Sequence, residues 1–87
     1  MISHASQSFR KQFQLLPASI QAQAREAYRQ FQRDPNHPSL HFEKLRGHSD
    51  LWSVRITLRY RAVAVREGEV FTWFWIGSHA DFDRDFA

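Results

Sequence analysis

Arg55, Arg61 and His79 are widely separated in the chain and are of the types that phosphate chemistry needs. Cutting RNA by attack of a ribose 2′-hydroxyl on its neighbouring phosphate takes a base, an acid for the departing 5′-oxygen, and cations for the charge that grows on phosphorus. Histidine exchanges protons near neutral pH, and the planar guanidinium makes paired contacts to phosphate oxygens. Lys44 and Arg46 add positive charge upstream, and Asp81 or Asp83 is placed to orient the His79 ring or offset its cationic neighbours. The same residues have plainer readings. Arginines alternating with apolar residues suit a solvated strand face, and a histidine just past a strand suits a cap. Trp73 and Trp75 read as core or sheet-covering residues, and one left exposed could stack a nucleobase. His37, His41 and His48 fall in or near loops at irregular spacing and the chain has no cysteine, so no metal or other cofactor is expected.

Convergence of these side chains depends on the elements that carry them. Phe9, Phe13 and Leu16 recur at helical spacing, which predicts a short helix over 8–15 behind a capping serine. Pro17 suits the first turn of a second helix running to about Arg33, with Ile20, Ala24, Ala27, Tyr28 and Phe31 along one face. Pro35 and Pro38 close the helical half. The period then changes. Residues 40–45 read as a short edge strand, 52–57 and 60–66 as half-buried strands, and 70–77 as an interior strand apolar on both faces. The expected fold is α+β, an N-terminal helical hairpin packed on a four-stranded antiparallel sheet. An odd number of residues in the connection between 57 and 61 would put Arg55 and Arg61 on one face and Val54, Ile56, Ala62 and Ala64 on the other; the even register would bury an arginine.

At 87 residues the chain has room for one domain, spanning 1–87, with a thin core to which its 15% aromatic content contributes heavily. The net charge of +3, carried mostly by arginine, points to an anionic partner or to a merely solvated basic surface. Nothing reaches the length of a membrane span, the first residues lack the apolar centre of a signal peptide, and there is no disulfide framework; a cytoplasmic protein is expected.

Several strings, taken in order, carry a resemblance: "FRKQFQLLP" opening the hairpin, "LRG" at 45–47, "LWSVRI" at 51–56, "YRAVAV" at 60–65 and "WIGSHADFD" at 75–83. Together they resemble the RelE/ParE superfamily of bacterial toxins from type II toxin–antitoxin pairs. The resemblance implies a compact growth-inhibiting toxin held inactive by a cognate antitoxin. In the branch of RelE, YoeB and HigB it implies metal-independent cleavage of mRNA on the ribosome. On that pattern Arg61 matches the phosphate-binding arginine, Arg55 a basic residue of the preceding strand, and His79 the arginine or histidine near the end of the last strand. Lys44, Arg46 and Phe82 would position RNA. Where several nuclease members carry a tyrosine after the last strand, this chain has Phe82 and Phe86, which can stack on a base but cannot exchange a proton. The ParE branch keeps the fold, lacks the nuclease set and poisons DNA gyrase; a third implied possibility is an inactive toxin-like interaction domain. His79 with Arg55 and Arg61 favours the nuclease. A basic sheet face and open edges also suit an antitoxin's acidic helix or added strand.

Overall fold

The computed structural model describes residues 2–86. Its first helix, α1 (Gln7–Gln14), begins one residue earlier than the 8–15 expected, because the Ser6 hydroxyl accepts the Phe9 N–H at 3.1 Å and satisfies a donor the helix cannot. At the other end the Gln21 side-chain amide donates to the carbonyls of Phe13, Gln14 and Leu16 at 3.1–3.3 Å, which locks the corner into α2 (Ala18–Arg33). Phe31 of α2 is fully buried, its ring meeting Phe42, Phe71 and Trp73 edge-on at 5.0–5.6 Å.

The α+β arrangement matches the expected class, with one strand more. β1 (Ile2–Ala5), β2 (Glu43–Lys44), β3 (Leu51–Thr57), β4 (Tyr60–Glu67) and β5 (Val70–Ser78) form a single sheet in the order β1-β5-β4-β3-β2. β1 runs parallel to β5 and the other pairings are antiparallel, so the sheet is mixed. Residues 40–45 are not one strand: Pro38–Leu40 makes a 3-10 turn and His41 takes a left-handed conformation (φ 44°), which leaves β2 two residues long.

The sequence past β5 winds into an unexpected third helix, α3 (His79–Phe86). The Ser78 hydroxyl accepts the Asp81 N–H at 3.1 Å, and Phe82 and Phe86, one turn apart, face the sheet. The sheet is therefore covered on both sides. The hairpin packs with Val54, Ala62, Ala64, Phe71, Trp73 and Ile76; α3 packs with Leu45, Val63, Phe74 and Trp75.

Two irregularities decide which residues share the α3 side. The β3–β4 loop holds two residues, Leu58 and Arg59, an even number, yet the register slips by one between Arg55 and Thr57. This bulge restores the odd register, so Arg55 pairs with Arg61 and Val54 with Ala62. A second slip in β5 sets Val63 opposite Trp75 and Ala64 opposite Trp73, leaving Phe74 unpaired.

Candidate active site

Arg61 lies where the second half of the core meets the surface. Its side chain is only 12% exposed. The guanidinium carbon stands 5.1 Å from the centre of the Phe82 ring, one NH group donates to Ser53 Oγ at 3.4 Å, and another approach brings Glu43 Oε1 to 3.9 Å. Its Nε is buried and meets no acceptor among the described residues. Arg55 faces it as the cross-strand partner and makes no ion pair among the described residues. Beyond Ser53 the edge of β3 is uncovered by β2, so Arg55 to Leu58 also border a cavity of about 290 Å³ against α2.

His79 opens α3. Its backbone N–H donates to the Arg59 carbonyl, fixing the start of the helix to the β3–β4 turn. One turn along, Asp83 Oδ2 sits 3.1 Å from His79 Nδ1, which leaves Nε2 as the nitrogen free to meet a ligand. The imidazole is 42% exposed and lies 6.1 Å from the Phe82 ring, so Phe82 is shared by Arg61 and His79. Of the two acids expected to orient the histidine, Asp83 is placed to do so. Asp81 instead pairs with Arg84 at 3.2 Å. The exposed Arg84 guanidinium has its pKa held above the ordinary value, first by its hydrogen bond to Asp85 and then by the charges of Asp85 and Asp81.

Three expected RNA contacts are placed elsewhere. Phe82 is 8% exposed and packs with Leu45, Val63, Trp75 and Phe86 under Arg61, so its ring is not open to a base. Lys44 pairs with Trp52, and Trp52 with Ala64 of the hairpin-side core, so alternation aims Lys44 away from Arg61. Arg46 is exposed in the β2–β3 turn, beyond the level of Leu51, which Leu45 meets, and so more than about 13 Å along the strand from Arg55. The sheet face that carries Arg61 is also roofed by α3.

The residue the sequence argument passed over is Glu43. Selecting by positive charge favoured Lys44, whereas alternation along β2 brings its acidic neighbour to Arg61. Arg61 and His79 thus both meet Phe82, with Glu43 beside Arg61, Asp83 beside His79 and Arg55 paired with Arg61 across the strands: a carboxylate able to take a proton, two cations and an imidazole able to give one. Among the described residues no group of three or more histidines, cysteines or acids could hold a metal ion, and no helix is long and apolar enough to cross a membrane.

A family description, the ParE-like toxin domain, matches residues 18–84. No curated protein matches the sequence. Among solved structures, a chain of the RelB–RelE antitoxin–toxin complex from Methanococcus jannaschii superposes with a TM-score of 0.76 at 14% identity, covering 97% of this chain and 99% of that one. The YoeB/ParE toxin from Agrobacterium tumefaciens gives 0.69 at 22% identity over 91% and 99% of the two chains. The isolated RelE toxin of E. coli gives 0.67 at 19% over 88% and 82%. At these identities the superpositions establish a shared fold.

Proposed function

The chain belongs to the ParE-like toxin family, within the RelE/ParE superfamily, and from that premise we propose that it is a metal-independent endoribonuclease that cleaves mRNA at the ribosome. The supporting observation is that Glu43 and His79 flank Arg61, the carboxylate at 3.9 Å and the imidazole across the shared Phe82 ring. Glu43 accepts the proton of the 2′-hydroxyl as the 2′-oxygen bonds to phosphorus. The bond from phosphorus to the 5′-oxygen breaks, and His79 gives the leaving oxygen its proton from Nε2. The products are a 2′,3′-cyclic phosphate and a 5′-hydroxyl. Asp83 holds Nδ1–H and so the ring's orientation, and Arg61 and Arg55 neutralise the pentacoordinate phosphate.

Primer extension on cellular mRNA after induction is the test. Discrete new 5′ ends are expected with the native chain and none with Glu43→Gln or His79→Ala; ends that persist in both variants would overturn the assignment. The second reading, a gyrase-directed toxin, is favoured by the family description and by the low exposure of Arg61. It predicts intact mRNA and an induced DNA-damage response.

A cognate antitoxin belongs to the same proposal. The M. jannaschii relative is a RelB–RelE antitoxin–toxin complex. In this chain two features would accept an acidic amphipathic partner: the free edge of β1, and an apolar cavity of about 410 Å³ between hairpin and sheet, with Arg25 and Arg29 among its lining residues.

A further inference from the structure

We infer that the indole of Trp75 is a base-stacking platform for single-stranded RNA, seating the nucleotide beside the phosphate held by Arg61; the inference rests on the ribonuclease reading above. Strict alternation from Trp73, buried beneath the helical hairpin, would send Trp75 to the same side. The bulge at Phe74 prevents this. With one extra residue in β5, Phe74 and Trp75 both face α3, and Ile76 returns to the hairpin side. Bulges of this kind commonly re-aim a side chain next to a site.

Gly77 then decides where the re-aimed ring lies. A Cβ at Gly77 would stand 2.9 Å from Trp75 Cζ2 and 3.0 Å from Cη2, so the six-membered ring occupies the space that any other residue would fill. Gly77 is the cross-strand partner of Arg61, and His79 follows two residues later. The indole is therefore laid along β5 toward the cation and the imidazole. Phe86 meets it edge-on at 5.3 Å and Phe82 at a tilt of 56°, so no aromatic ring among the described residues is stacked parallel to it. Trp75 is half-buried, whereas Phe82 has Arg61 over its ring and is enclosed. The stacking role expected of Phe82 passes to Trp75. Because every base presents a flat π-face, such a platform tolerates sequence while fixing the position of the nucleotide.

The experiment measures fluorescence anisotropy of a labelled oligoadenylate and of the same backbone carrying abasic residues. Both are titrated with His79→Ala protein, to suppress cleavage, with tryptophan, phenylalanine or leucine at position 75. With tryptophan, the intact RNA is expected to bind about 5- to 150-fold more tightly than the abasic one. Trp75→Leu should remove that difference, Trp75→Phe should restore part of it, and Gly77→Ala, which displaces the ring without deleting it, should reduce it. Equal weakening of both RNAs by Trp75→Leu would mark a purely structural role and overturn the inference, as would tryptophan-bearing protein that does not distinguish the two. Failure of the ribonuclease reading is separately visible: base-dependent binding would persist while induction of the protein with native His79 produces no new 5′ ends in cellular mRNA.

Discussion

A guanidinium with 12% of its side chain exposed does not behave as a surface cation, and Arg61 is expected to matter twice. Arg61→Ala should abolish cleavage and also lower stability by about 1–3 kcal/mol, because it uncovers the Phe82 ring and leaves Ser53 without its donor. Arg55 makes no ion pair among the described residues, so Arg55→Ala should cost no more than about 0.5 kcal/mol by urea denaturation while still impairing activity. The two arginines face each other across a strand pair, yet only one is built into the core. His79 and Asp83 divide their work similarly. His79→Ala should reduce the rate by about 10²–10⁴-fold, the usual value of a positioned proton donor. Asp83→Asn should reduce it less, and should act on kcat with KM nearly unchanged, because Asp83 meets the ring rather than the substrate.

At the scale of elements, the helical hairpin, β3, β4 and β5 were legible because their apolar spacing runs long enough to show its period. β1 was not: four residues of which only Ser3 and Ala5 turn partly inward leave almost no pattern. α3 carried signals that were present but went unused, namely Ser78 three residues before Asp81 and the one-turn pairs His79–Asp83 and Phe82–Phe86. Its polar composition masked them, and missing the helix is why Phe82 was taken for a surface ring. The Arg55–Arg61 pairing was reached by a different route from the one expected, since bulges follow from tertiary packing that alternation alone does not reveal. Glu43 was hidden by the same kind of choice, charge sign being preferred to strand parity. Ser78→Ala tests α3 directly: the lost cap should cost about 0.5–2 kcal/mol, read as faster hydrogen exchange confined to 79–86.

For the molecule as a whole, a net charge of +3 is modest, and the site itself holds Glu43 and Asp83 as well as its cations. Binding of single-stranded RNA should therefore depend on salt through a few local contacts. If Arg55 neutralises one phosphate, Arg55→Ala should flatten the plot of log affinity against log salt by about 0.7, whereas Asp83→Asn should leave the slope in place. The parallel pairing of β1 with β5 joins segments far apart in the chain, Ile2 lying beside Val70. β1 stays unpaired until β5 is available, so the pairing that closes this edge of the sheet is expected to form late in folding. His79, at the head of α3, follows β5 directly, so the histidine takes its place only once that slow pairing has its partner strand.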